Sequence, residues 1–340
     1  MQVVRFLKDW TLPVAMGVGV LAYLLFAFTP QLDEASLFFA PLMEATLPLF
    51  MFLVLFVTFC KVNFHKMRIV GWHLWVLLVN VLLVAMVMVV TLSLSSLLPG
   101  NASVPSAVHA PFNSTKILME SVLMCIIAPC ATAAAVVTQK LGGSLEQMTT
   151  FSFLSNFVCA LLVPICFPLL EKGASVSFMA AFAKILYQVA ILLVLPMILA
   201  WVVKHRMHGL HRRIIAVKDL SFYLWGCSLM IVTGTTVKNI VHAQASLELL
   251  LSIAVSVLVL CLFQFAVGRL IGRRYGRGQE AGQALGQKNT AFAIWLSTTY
   301  LNPLSSVGPG CYILWQNIIN SVEIWQRQKN CSRISVKGGR

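Results

Sequence analysis

The sequence predicts an all-α polytopic membrane protein with ten transmembrane helices. Three observations carry that expectation. Hydrophobic residues fill 59% of the 340 positions and charged residues only 11%, against about 45–50% and about 25% in a soluble domain. The apolar residues gather into ten runs, most near the roughly 20 residues a helix needs to cross the hydrocarbon layer. The basic residues concentrate in every second connection between those runs, which is the signature of membrane topology. No run shows the two-residue alternation of a barrel strand, so each is taken as helical.

The runs follow in order. The first, 12–29, is preceded by Arg5 and Lys8. That is the outline of a signal peptide, but no small-residue cleavage site follows, so it reads as a retained span. The second covers 40–60 and stops at Lys61. The third, 72–98, is long enough to tilt and carries Asn80. The fourth, 117–138, contains Ile127-Ala128-Pro129-Cys130-Ala131-Thr132. Pro129 there removes a helix hydrogen bond and clashes with the preceding turn, so a break is expected. Runs at 147–170, 180–203, 217–237 and 246–268 are continuous. The ninth, 279–301, is interrupted by Gly286-Gln287-Lys288-Asn289-Thr290, and the tenth covers 307–326 ahead of a basic tail, 327–340.

Charge sets the orientation. With the N-terminus inside, inner loops and tail hold 20 of the 25 Lys and Arg, and outer loops keep four, Lys116, Lys172, Lys184 and Lys238. The expectation is a plasma (inner) membrane protein with both termini cytoplasmic. Five runs precede the connection near Lys172 and five follow it. Because five is odd, the second half enters from the opposite side. The segments 1–171 and 172–326 then form an inverted repeat, as in many secondary transporters. In such repeats, paired interrupted helices point to the binding site, and here they are spans four and nine.

Lys288 is the anomaly within that pattern. A lysine at membrane depth costs about 2.5–3.5 kcal/mol even on a lenient scale, and such groups normally face a protein-lined cavity. The plainer alternative is a lysine that snorkels to the interface. Gln287, Asn289, Thr290, Thr132 and Asn317 are polar groups near the expected crossing. They either bond half-helix ends, whose peptide groups must be satisfied in lipid, or contact a ligand. Asn156 and Gln264 read as interhelical bonds. Glu44 and Glu323 read as groups reaching water, with a basic tail residue as a partner for Glu323. His65, His73, His205, His208 and His211 read as inner-loop residues. The sequons at Asn101 and Asn113 matter only in a glycosylating host.

Other function classes find little footing. The net charge of +14 belongs to short loops, so it marks topology and no nucleic-acid partner is expected. The nine cysteines are scattered, without a C-x-x-C pair, so no metal site is expected. There is no G-x-S-x-G, H-E-x-x-H or Gly-rich phosphate loop, so neither an enzyme nor a nucleotide-driven pump is expected, and no cofactor is implied. A channel stays open as an alternative, which paired broken helices disfavour.

Five stretches carry a family likeness. They are Leu47-Pro48-Leu49-Phe50-Met51-Phe52 with Lys61 and Phe64, and Pro129-Cys130-Ala131-Thr132-Ala133-Ala134-Ala135-Val136. Leu162-Val163-Pro164 with Pro168 follows, then Ala284-Leu285-Gly286-Gln287-Lys288-Asn289-Thr290. The most specific is Pro309-Gly310-Cys311-Tyr312-Ile313-Leu314-Trp315-Gln316-Asn317-Ile318. Through them the chain resembles the bile acid:sodium symporter superfamily over most of its length. The resemblance implies ten helices with two broken ones crossing near the midplane. It implies a core of spans 3–5 and 8–10, a panel of spans 1, 2, 6 and 7, and carriage of an organic anion by alternating access.

The departures from the family pattern matter as much. Positions that supply sodium-ligand oxygens in sodium-coupled members are Ala134, Ala135, Ala284 and Lys288 here. Asn80 falls where those relatives place an amide ligand. Alanine offers no oxygen, and an ammonium repels a neighbouring cation. The expectation is therefore sodium-independent transport, with the Lys288 ammonium in one cation's place. The negative end of the preceding half-helix would accept its charge, and protons would serve as coupling ion or exchange partner. Cys130 keeps a second reading open, because arsenite permeases of a related branch carry a cysteine in a stretch similar to Ala128-Pro129-Cys130. Its plainer role is a small residue that lets broken helices cross closely.

Overall fold

The computed structural model describes the backbone of residues 10–29, 33–97, 106–170, 194–217, 219–242 and 245–337, with four single positions between 180 and 191. Among these residues the chain forms thirteen α-helices and no strand. They are α1 (Thr11–Phe28), α2 (Asp33–Lys61), α3 (Gly71–Leu97), α4 (Ser106–Ile127), α5 (Ala134–Lys140), α6 (Leu145–Leu170) and α7 (Leu195–Arg206). The second part contributes α8 (His208–Ala216), α9 (Leu220–Val241), α10 (Leu247–Arg273), α11 (Gly278–Gly286), α12 (Thr290–Tyr300) and α13 (Val307–Lys337). The protein is a polytopic membrane protein. Five of the described helices are long and apolar enough to cross a bilayer as single rods, namely Thr11–Phe28, Gly71–Leu94, Leu145–Leu170, Leu220–Lys238 and Leu247–Arg273.

Fewer rods than expected runs has a physical cause. Expected spans four and nine are each divided into two helices, α4 with α5 and α11 with α12, and α5, α11 and α12 hold only 7, 9 and 11 residues. The first part of the sixth expected span lies mostly outside the described residues, and Arg5, Lys8, Asn101, Lys172 and Lys184 and the side chain of Glu44 lie outside them altogether.

Several boundaries correct the reading from sequence. The fourth segment begins at Ser106, so Asn113 and Lys116 are helical and not in a loop. Lys116 lies one turn from Glu120, with their charged atoms 3.7 Å apart, and that pair supports the helix where polarity suggested a connection. The tenth segment does not stop at 326 but continues as helix to Lys337. His73 is not a loop residue. It is fully buried in the first turn of α3, with Nδ1 accepting from the Val70 amide at 3.3 Å. His208 and His211 belong to the helix α8. Glu323 is partly buried near Arg269 of α10 and pairs with it, not with the tail.

Packing falls into two sets of helices. In one, α9 lies along α1 and α2, and α7 lies along α2; in the other, α10 lies along α11 and α13, and α3 along α4. The second set includes a close backbone approach. A Cβ at Gly268 would lie 2.3 Å from the Ala281 carbonyl oxygen, and one at Gly308 would lie 2.6 Å from Ser121 Cβ. Small residues are what lipid-embedded helices use to approach this closely. On the outward face of α3, Leu74, Leu78, Leu82 and Met86 repeat every four residues and are all exposed, as a lipid-facing stripe requires. Gly268→Val is expected to separate α10 from α11 and destabilise the protein by about 1–3 kcal/mol, the usual cost of overpacking. Thermal denaturation in detergent measures it.

Candidate functional site

The site is built where the two broken segments meet. Helix α4 stops at Ile127 because Ala128 precedes a proline, which disfavours helical backbone, and Pro129 has no N–H to continue the ladder. Helix α11 stops at Gly286, and α12 restarts at Thr290 with Asn289 as its cap, Oδ1 accepting from the Phe292 amide at 3.2 Å. Between these ends the two connections run antiparallel and bridge at Cys130 and Lys288. The Ala131 amide donates to the Gln287 carbonyl at 2.9 Å, and the Asn289 amide donates to the Pro129 carbonyl at 2.8 Å. Each break therefore satisfies peptide groups that the other exposes.

Helix α13 locks this bridge with one side chain. Gln316 Oε1 accepts from the Lys288 amide at 2.8 Å, and its Nε2 donates to the Lys288 carbonyl at 3.2 Å. Both peptide groups of Lys288 are thus held by a single amide. On the neighbouring turn the Tyr312 hydroxyl lies 2.7 Å from the Gly286 carbonyl, the end of α11, and 2.6 Å from Gln264 Oε1.

The Lys288 side chain is buried and is held at two points. Its Nζ donates to Asn80 Oδ1 of α3 at 2.6 Å and to the Ile126 carbonyl at 2.9 Å. Ile126 lies in the last turn of α4, so the ammonium sits at a helix C-terminus, where the dipole is negative. This corrects one detail of the reading from sequence: the accepting end belongs to the crossing segment, not to α11, which precedes Lys288. Among the described residues no carboxylate pairs with this ammonium.

The remaining expected residues divide around a cavity of about 60 Å³. Thr132, Gln287, Asn289, Thr290 and Asn317 line one wall, and Met51 of α2 with Trp225 of α9 line the other. Gln287 Oε1 and Asn317 Oδ1 are buried without a hydrogen-bond partner. The Asn317 amide nitrogen donates to the Ile313 carbonyl of its own helix at 2.8 Å, so it does not bond a half-helix end. Lys288 and Gln316 also line the cavity, whereas Asn80 and Ile126, the two partners of the ammonium, do not. Pro129 contributes its carbonyl to the bridge. Cys130 is buried, its amide donates to Ser155 Oγ at 2.8 Å, and it does not line the cavity. The arsenite reading, which needs a reachable thiol, gains no support from this placement.

Sequence reasoning missed three groups. Gln316 stood beside Asn317 in the most specific motif, and its fourfold register on α13 with Tyr312 and Asn320 was the available signal. Glu120 is fully buried in α4 and accepts from Ser305 Oγ at 2.5 Å; its i,i+4 spacing from Lys116 was readable. Gln283 of α11 donates to Asn320 Oδ1 at 2.9 Å and to Glu323 Oε2 at 3.1 Å. That link joins α11 to α13 on the side away from the bridge.

Comparison with known families bears on the same region. The family model described as Sodium Bile acid symporter family matches residues 48–243, more than half of the chain and including the whole first break. The chain belongs to the sodium bile acid symporter family. Members of that family are transporters, so this symporter-family chain is a multi-pass membrane protein of a transport family. None of the curated proteins searched matches it.

Two substitutions test the geometry of this symporter-family site. Gln316→Leu leaves the buried amide of Lys288 unpaired, at about 1–3 kcal/mol, while the carbonyl keeps the Thr290 amide at 2.9 Å, and it is expected to lower the melting temperature in detergent. Asn80→Leu is expected to cost about 1.5–3 kcal/mol, the range for a hydrogen bond to a charged group. Asn80→Asp, which keeps an acceptor oxygen, is expected to cost less than Asn80→Leu in the same measurement.

Proposed function

We propose that this chain is a secondary transporter that carries a small organic anion across the plasma (inner) membrane by alternating access, without sodium. The observation that carries the proposal is the seat of Lys288. Its ammonium bonds Asn80 and the C-terminal end of α4 with no carboxylate beside it. In sodium-coupled relatives, the resemblance places a metal cation at this position. A covalently held cation supplies the same charge to the same helix end and has no need of a dissolved one.

The arrangement of helices supports the rest. The two packing sets match the division the resemblance implies, a panel of α1, α2, α7 and α9 against a core of α3–α6 and α10–α13. The cavity lies between them, with panel residues on one wall and the bridge on the other. The breaks occupy corresponding places in the two halves, which is the pattern of an inverted repeat of 1–171 and 172–326. At the end carrying the basic loops, Lys140 of α5 and Asp219 beside α9 pair at 2.6 Å, a contact between core and panel that rocking would break. The excess of basic residues in those loops supports cytoplasmic termini.

The cargo follows from charge and size. A buried ammonium with no acid beside it gives the site a positive potential, which favours an anion in a low-dielectric setting. The ammonium bonds protein, so it acts on the cargo through its field. A proton is the remaining coupling ion, because Lys288 is the group at the bridge able to release and regain one.

The test begins with a thermal-shift screen of the purified protein against small organic acids, with and without sodium and across pH, to fix a ligand. Uptake of that acid into proteoliposomes is then expected to proceed equally in choline and sodium media for the wild type. Lys288→Gln is expected to cut uptake at least tenfold in sodium-free medium. An unchanged rate and pH dependence in Lys288→Gln would overturn the proposal.

A further inference from the structure

A second feature lies on the lipid-facing surface, away from the bridge. A groove of about 350 Å³ opens between the start of α3 and the end of α10. Its wall is Trp75, Leu270 and Ile271, and its rim is Arg274 and Tyr275. Trp75 is 54% exposed and Leu270 is 59% exposed, although both are large apolar residues. They continue two lipid-facing stripes, Leu74, Leu78 and Leu82 on α3 and Leu251, Val255 and Val259 on α10.

The rim differs in chemistry. Arg274 is exposed and has no ion-pair partner among the described residues, whereas its neighbours Arg269 and Arg277 pair with Glu323 and Glu280. No acidic residue lines the groove. The rim is also held in place. The Arg274 amide bonds the Ile271 carbonyl at 3.3 Å, the Tyr275 amide bonds the Gly272 carbonyl at 2.9 Å, and the Tyr275 ring rests against Gly71. A guanidinium on an anchored backbone and a phenol therefore stand over an apolar trough, at the membrane end that carries the basic loops.

The geometry points to an anionic phospholipid as the occupant: its phosphodiester on Arg274 and Tyr275, its acyl chain along Trp75, Leu270 and Ile271. Guanidinium is suited to phosphate because its paired N–H groups match two phosphate oxygens. Indole and phenol rings favour the headgroup level of a bilayer. A soluble anion would use the rim and leave the trough empty, and a zwitterionic lipid would use the trough and gain little from the rim. The match of charge to apolar wall selects the anionic lipid. This inference does not rest on the transport reading.

The experiment is native mass spectrometry of the full-length protein, delipidated in detergent and offered equimolar phosphatidylglycerol and phosphatidylcholine. The wild type is expected to retain one phosphatidylglycerol in preference. Arg274→Gln is expected to reduce that preference about fivefold, the worth of one basic residue at an anionic surface. Arg273→Gln, one position along and outside the groove, is expected to keep the preference, with folding of both variants checked by gel filtration and melting temperature. Trp75→Ala is expected to weaken retention of both lipids. Equal retention of the two lipids by the wild type overturns the inference. So does an equal loss in Arg273→Gln and Arg274→Gln, which would mark diffuse attraction. So would inorganic phosphate binding at Arg274 without lipid retention.

Discussion

Two broken helices can persist inside a membrane only because each completes the other. A peptide group left unpaired in hydrocarbon costs several kcal/mol. The exchange between Pro129–Ala131 and Gln287–Asn289 removes that cost by giving each break a short antiparallel partner. Everything else at the centre is fastened to it. Asn289 caps α12, Tyr312 reaches the end of α11, and Lys288 reaches the end of α4. Gln316 then holds the peptide of Lys288 from α13. The bridge therefore fixes both the lysine and the wall of the cavity.

The breaks themselves were legible in the sequence because their causes are local. Pro129 cannot donate, and Gly286 through Thr290 places a glycine, a charge and amides where apolar residues belong. What closes the breaks was not legible. A bridge between positions 130 and 288 depends on a fold, not on a run of residues, and leaves no periodicity to read. The same limit explains the accepting carbonyl. Chain order suggests the half-helix just before Lys288, but a lysine side chain reaches across the crossing and finds Ile126.

Helix ends were misread for the opposite reason, because a local signal was taken too literally. Polar residues such as Asn113 and Lys116 suggest a connection, yet a charge with its counter-charge one turn on, Lys116 with Glu120, continues a helix without penalty. The tail after 326 likewise looks soluble and is simply helix that extends past the apolar layer. Glu323 shows how a partner is lost from view. Basic residues surround it in sequence, but Arg269 on a neighbouring helix has the geometry.

A tethered ammonium and a dissolved cation are not equivalent, and the difference bears on the energetics of the proposed transport. A dissolved cation enters with a gradient behind it and leaves on the other side, so its binding delivers work to each cycle. Lys288 stays with the protein in every state. It can balance the end of α4 and attract an anion, but it contributes no gradient while it keeps its proton. A site of this kind then either equilibrates or exchanges its cargo, driven by the cargo's own gradient. If the proton leaves once per cycle, the hydrogen bonds to Asn80 and Ile126 lose their charge, the crossing loses part of what holds it, and conformational change is tied to proton movement. The same residue thus separates an exchanger from a proton-coupled carrier by a single protonation step.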